Sequence, residues 1–111
     1  MSASSKFNVD PAGFRNCNLI GGQWKGSISG ETIAVENPAT EEIIAHVPQG
    51  RHEDIDEAVR VARATFESPA WRKIRPIDRG RILENVARKI EEHADELAYL
   101  ESLDTGKALT F

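Results

Sequence analysis

The sequence predicts a chain in two blocks, an N-terminal β-hairpin or meander followed by two or three amphipathic helices. Three observations predict it. Residues 30–38, "GETIAVENP", alternate with a period of two, placing Thr32, Ala34 and Glu36 on one side and Ile33 and Val35 on the other. Residues 52–68, "HEDIDEAVRVARATFES", carry Ile55, Ala58, Val59, Ala62 and Phe66 on one helical stripe. From Arg75 onward a helical spacing returns through Ile82, Leu83, Val86, Ala87 and Ile90, and no strand pattern follows it.

The strand block begins at Asn18. "NLIGGQW" holds two apolar residues, a Gly-Gly break and Trp24. Asn37-Pro38 ends the next run, because Pro donates no ladder hydrogen bond and restricts the residue before it. "EIIAHVP", Glu42 to Pro48, supplies a further strand, so "NPATE" reads as the connection of a hairpin. Two or three strands are marginally stable in water and need a cover.

The first helix concentrates Glu53, Asp54, Asp56 and Glu57 in its opening turns, where the helix dipole favours negative charge. Asp56 and Arg60 stand at i,i+4 in the better orientation for an ion pair. Ser68-Pro69 stops the helix. Its start is weak, because neither Arg51 nor His52 is a good capping residue. The second helix opens on Pro76 with Asp78 in its first turn. "EEHADEL" reads as a break before a third helix with Leu97, Leu100 and Leu103.

Composition sets limits. Leu, Ile, Val and Phe make up 26 of 111 residues, and much of the 40% hydrophobic content is Ala. That is close to the ~20% below which chains tend to stay disordered. The net charge of −4 argues against nucleic-acid binding, which shows a basic surplus. Cys17 is the only cysteine, so no internal disulfide forms. No run of about 18 apolar residues exists to span a membrane. Residues 1–17 lack the apolar core of a secretion signal and read as a flexible polar lead-in. A cytoplasmic location is the expectation.

The closing stretch, "LESLDTGKALTF", invites two chemical readings. A phosphate loop needs Gly five positions before Gly106 and a Ser or Thr after Lys107. Glu101 and Ala108 stand there, and no G-x-G-x-x-G occurs anywhere. Asp-Thr-Gly also carries the catalytic carboxylate of small aspartic proteases, in a tight β-loop where two carboxylates share a proton. Here "HADELAYLESL" precedes it with helical spacing, against that reading. Gly106 reads instead as a helix C-cap with Lys107 complementing the helix end. Asp104 is an acid where the dipole disfavours one: it reads either as a solvated surface Asp or as a sign of a cation, a positive side chain or a backbone donor beside it. His46, His52 and His93 have no metal-site spacing. Cys17 has no activating base nearby. The basic stretch "WRKIRPIDRGR" reads as a solvated helix start.

The order of three segments carries a resemblance: "LIGGQWKGSISGETIAVENPATEEIIAHVP", then "EDIDEAVRVARATFES" with Trp71, then "RGRILENVARKIEEHADELAYLESLDTGKAL". Together they resemble the N-terminal part of the NAD(P)-dependent aldehyde dehydrogenase superfamily, from about Asn18 to Leu109. The resemblance implies that residues 18–111 are the front of an α/β cofactor domain whose parent enzymes are several times longer. Those enzymes oxidise aldehydes to carboxylic acids with NAD or NADP, and homo-oligomers are their expected form. A cysteine attacks the carbonyl, hydride passes to the nicotinamide, and a glutamate activates the hydrolytic water. The motifs of that cysteine, that glutamate and the cofactor loops are not in these 111 residues. Cys17 does not match the catalytic motif.

The resemblance therefore implies a truncated or split piece of a longer enzyme, inactive alone and holding no cofactor by itself. The alternative is a helical interaction module that docks on a partner or a full-length homologue. One site carries over. In some members the Asp of "LDTGK" helps bind a structural monovalent cation, K+ or Na+, with backbone carbonyls just before "NP". The positions here are Asp104, Val35 and Glu36. The family's turn is usually "NPATGE", so Glu41 stands where Gly would sit and carries the cost of any positive φ.

Overall fold

The computed structural model describes residues 11–14 and 16–109. Four short strands, β1 (Asn18–Ile20), β2 (Gln23–Lys25), β3 (Thr32–Glu36) and β4 (Ile43–Pro48), precede four helices. These are α1 (His52–Glu67), α2 (Pro69–Arg72), α3 (Pro76–Glu92) and α4 (Ala94–Thr105). The strands form two separate antiparallel hairpins, β1–β2 and β3–β4. Gly21 and Gly22 make the first hairpin's two-residue turn with φ of 62° and 74°, the left-handed geometry that glycine adopts at little cost. The lead-in reading falls mainly on residues 1–10 and 15, outside the described residues. Within it, Pro11–Gly13 forms a 3-10 turn against β4.

The second hairpin is not regular. Thr32 pairs with Pro48, Ile33 with Val47, Ala34 with His46 and Val35 with Ala45, but Glu36 then pairs with Ile43. Ile44 is skipped, which makes a β-bulge and turns the strand. The turn beyond it is organised by Asn37. Its backbone N–H donates to Glu42 O at 2.9 Å and its carbonyl accepts from Glu41 N–H at 2.8 Å. Its side-chain Oδ1 accepts from Ala39 N–H at 2.9 Å. Asn37 is buried in consequence, and Asn is a residue type that makes such turns. Glu41 has a φ of 61° and occupies the left-handed position as a non-glycine.

The helix beginnings differ from expectation in an instructive way. Arg51 does stand at the weak cap of α1, but Asp54, at the third helical position, supplies what Arg51 cannot. Its Oδ2 accepts the Arg51 N–H at 2.9 Å. The expected Asp56–Arg60 pair is replaced by two others. Arg60 pairs with Glu57 at 2.8 Å and Asp56 lies 3.4 Å from His52. Ser68 ends α1 and its hydroxyl accepts from Trp71 N–H at 3.4 Å, opening the short α2 that the sequence pattern did not separate. His93 marks the break between α3 and α4.

Packing between these elements is sparse. α1 lies against the first hairpin, and a Cβ placed on Gly21 would come within 3.1 Å of Val61 Cγ1. Ala58, Val61, Ala62, Thr65 and Phe66 line the cleft there, facing Leu19, Ile20 and Trp71. Ile55 and Val59, expected on the packed stripe, point away and stay about three-fifths exposed. Among the described residues Ala45 is the one buried hydrophobic side chain. The strand expected to be half-buried also leaves Ile33 exposed, while Val35 on the same face lines a groove shared with α4. The Cα radius of gyration is 17.7 Å, against ~13 Å for a compact chain of this length.

Candidate cation site at the end of the last helix

Two elements converge where α4 ends. Gly106 caps the helix with a φ of 73°, and its N–H donates to Ser102 O at 3.0 Å. This is the left-handed C-cap expected of Gly. A Cβ added to Gly106 would stand 3.1 Å from Pro38 Cγ, so the cap sits directly against the β3–β4 turn. Thr105 Oγ1 donates to Glu101 O at 2.7 Å and accepts from Lys107 N–H at 3.3 Å, which closes the last turn locally.

That convergence puts Val35 and Asp104 on the walls of one groove of about 430 Å³. Its other walls come from Pro11, Phe14 and Asn16 ahead of β1, from β4, through Ile44, Ala45 and Val47, and from the inner side of α4. Asp104 is exposed and lies in the last turn of α4, not in a β-loop. The aspartic protease reading therefore has no structural support, since its carboxylate must project from a tight loop. Glu36 follows Val35 at the bulge, and its residue is outside the groove lining. The structure thus joins Val35 and Asp104, with Glu36 next to them in the strand. One carboxylate and backbone carbonyls are the donor set of a hard cation with oxygen ligands. Among the described residues no group of three His, Cys, Asp or Glu side chains assembles.

The remaining sequence candidates separate. His46 lies on β4, His52 opens α1, and His93 lies 3.2 Å from Glu96 at the α3–α4 junction. Cys17 is exposed ahead of β1. Three cations of the basic stretch find partners within it. Arg75 and Arg81 pair with Asp78 at 2.8 and 3.2 Å. The Arg79 guanidinium stacks 4.9 Å over the Trp71 ring.

One polar tie was missed by sequence reasoning. Asp54 is buried and its Oδ1 accepts the N–H of Ile28 at 2.9 Å, joining α1 to the loop between the hairpins. The N–H groups of Arg51 and then Ile28 hold its carboxyl below the usual aspartate range. An acid at the third helical position was legible as a dipole partner, but its remote donor was not. Beside it, the Arg51 guanidinium hydrogen-bonds the Glu31 carboxylate and lowers that group's pKa as well. No helix among the described residues is long and apolar enough to cross a membrane.

The arrangement has counterparts. A profile of the aldehyde dehydrogenase family matches residues 24–111. Phenylacetaldehyde dehydrogenase of Pseudomonas fluorescens is 48% identical over 93 residues, 84% of this chain and 18% of that protein. The mitochondrial aldehyde dehydrogenase of Sus scrofa is 44% identical over 102 residues, 90% of this chain and 19% of its own length. Among solved structures, the NAD+ complex of aldehyde dehydrogenase from Bacillus cereus superposes with a TM-score of 0.80 at 43% identity, over 82% of this chain and 18% of that one. Betaine aldehyde dehydrogenase from Staphylococcus aureus gives 0.84 at 38% identity, over 87% and 19%. The chain therefore spans about a fifth of the length of the relatives it matches. The two hairpins and four helices correspond to an N-terminal piece of the α/β cofactor-binding domain in those enzymes. On the family match and the shared arrangement of these elements, the chain belongs to the aldehyde dehydrogenase family.

Proposed function

We propose that residues 18–111 serve as the front of the cofactor domain of an enzyme that oxidises aldehydes to carboxylic acids with NAD or NADP. The observation that carries this reading is the joint match of sequence and arrangement, 43% identity with a TM-score of 0.80 to an aldehyde dehydrogenase in complex with NAD+. The residues present here do not fit the dinucleotide itself. They include no G-x-G-x-x-G loop, and the cleft between α1 and the first hairpin is lined by apolar side chains such as Leu19, Ala58 and Phe66. The role of this segment is to wrap the domain and not to hold the reacting atoms. A cytoplasmic, homo-oligomeric enzyme is the form in which we place it.

Asp104 and the carbonyls of Val35 and Glu36 would hold a K+ or Na+ ion in that enzyme. Its chemistry is structural: a charge at the end of α4 neutralises the Asp104 carboxylate and the negative helix end together. The bulge at Ile44, opposite Val35 and Glu36, turns the strand at the two carbonyl-bearing residues. The Gly106–Pro38 contact brings the helix end to them.

The reading is tested by grafting residues 18–111 onto the Bacillus cereus enzyme in place of its matching segment. The graft is expected to reduce NAD in the presence of an aldehyde such as acetaldehyde. A folded, oligomeric graft with no NADH production would refute the proposal.

A further inference from the structure

The groove that joins Val35 to Asp104 has a further polar wall, formed by Asn16. Pro11–Gly13 turns back against β4, and the chain after it brings Asn16, half-buried, to the groove. Asn16 also lies beside Ile43 and Ile44, at the bulge opposite Val35 and Glu36. The charged side chains of the groove, Glu101 and Asp104, stand one turn apart on α4. Much of the remaining lining is apolar, through residues such as Phe14, Ile44 and Leu100.

The chain itself fixes which way the Asn16 amide is turned. Its Nδ2 donates to Pro11 O at 3.1 Å, and its backbone N–H donates to Phe14 O at 2.9 Å. A carbonyl only accepts, so the nitrogen arm of the amide must face Pro11. Oδ1 is then the other arm of a planar group, and no donor among the described residues reaches it. A half-buried amide oxygen with no donor, on a groove that also holds a carboxylate and a strand bulge, is a ligand type suited to a hard cation.

We infer that Asn16 Oδ1 is a further oxygen ligand of the monovalent cation held by Asp104 and the carbonyls of Val35 and Glu36, with Pro11–Asn16 as the strap that carries it to the ion. The inference rests on the proposed cation site and goes beyond it, because that donor set comes wholly from β3 and α4. The family profile begins at residue 24, so family membership does not require Asn16. Charge explains why an amide serves here. Asp104 with neutral oxygens makes a site of net charge −1, which one K+ or Na+ balances. A second carboxylate in place of the amide would suit a divalent ion, whose affinity rises with the number of charged ligands.

The test uses a graft that carries all 111 residues in place of the matching segment of the Bacillus cereus enzyme. Its melting temperature is followed as potassium replaces choline. Asn16→Ala should raise the potassium concentration that gives half of the gain by about tenfold or more. Asn16→Asp keeps an oxygen but loses the donor to Pro11 O, so it separates ligation from support of the turn. That variant should retain the potassium gain and add a calcium gain that the original sequence lacks. A crystal of the original graft soaked in thallium(I), a heavy stand-in for K+, should show anomalous density in ligand contact with both Asp104 and Asn16 Oδ1.

If Asn16→Ala and Asn16→Asp lose the potassium gain alike and neither responds to calcium, Asn16 only supports the turn and the inference fails. A gain that Asp104→Asn removes and Asn16→Ala leaves untouched would take Asn16 out of the site and leave the proposed site standing. Thallium bound at Asp104 beyond reach of Oδ1 would do the same. A gain removed by Glu101→Gln and kept in Asn16→Ala would give the place to the second carboxylate. A graft that oxidises aldehydes and gains nothing from potassium would sink the cation site and this inference together, with the dehydrogenase reading intact.

Discussion

Ile28 and Asp54 lie 26 positions apart, yet the backbone N–H of Ile28 donates to Asp54 Oδ1 at 2.9 Å. The same carboxylate takes the Arg51 N–H through its other oxygen. One side chain thus caps its own helix and ties that helix to the loop between the two hairpins. A chain with so little buried apolar surface depends heavily on such ties.

Asp54 has a depressed pKa, so its ionised form is favoured by the fold. A carboxyl whose folded pKa is lowered contributes stability above its unfolded value, ~3.9, and loses it as pH falls through the folded value. In the graft, the contribution of Asp54 to the urea midpoint should therefore be constant above about pH 4 and fall below it. Glu31 and Glu57 are depressed too, through Arg51 and Arg60. Asp54→Asn isolates the aspartate: its midpoint should be lower at pH 7 and converge on the original in acid. Parallel curves at every pH would show that the carboxylate charge is irrelevant.

Gly106→Ala should destabilise the contact between α4 and the β3–β4 turn. Its φ of 73° is left-handed, and the new methyl would lie 3.1 Å from Pro38 Cγ. The left-handed conformation alone costs about 1–2 kcal/mol for a residue with a Cβ. Chemical denaturation of the aldehyde-oxidising graft should register a loss of that size, and an unchanged midpoint would contradict the geometry.

Glu41→Gly should act in the opposite direction. Glu41 sits at φ 61°, so glycine relieves left-handed strain of about 1–2 kcal/mol. Glycine's greater chain entropy takes back about 0.5–1 kcal/mol. A net gain of roughly 0–1.5 kcal/mol in the graft is expected from these two terms, measured by the same denaturation, and a loss would contradict it.

Asp104→Asn addresses the cation. In the graft, replacing choline by potassium should raise the melting temperature of the original sequence, and that gain should largely vanish in the variant. A potassium gain that survives the substitution would place the ion elsewhere or show a general salt effect.

Much of the local structure was written in the sequence, and much of the packing was not. The period of two in β3 and the stripe of α3 come from short-range sterics and burial, so they are legible along the chain. The Gly106 cap was legible for the same reason, since it is a property of a few consecutive residues, whereas the position of Glu41 was raised only by the family resemblance. The face that α1 turns to the hairpin was not legible. α1 turns the half-buried Ala58 and Val61 to the hairpin, while Ile55, Val59 and Phe66 of the expected stripe stay exposed. That choice is made by the neighbour and not by the period. The Ile28–Asp54 bond and the Ile44 bulge likewise join or shift distant residues, and nothing in local spacing encodes them. At the candidate site, Asp104 stood out as an acid at the wrong helix end. Its position across from Val35 is a tertiary fact.

The central claim is that these elements are finished by the rest of an aldehyde dehydrogenase and not by one another. Amide hydrogen exchange along α1 and α3 tests it most directly, comparing the 111-residue chain alone with the same residues in the graft. The account predicts rapid exchange in the free chain and strong protection of both helices in the graft. Equal, cooperative protection in the free chain would contradict it.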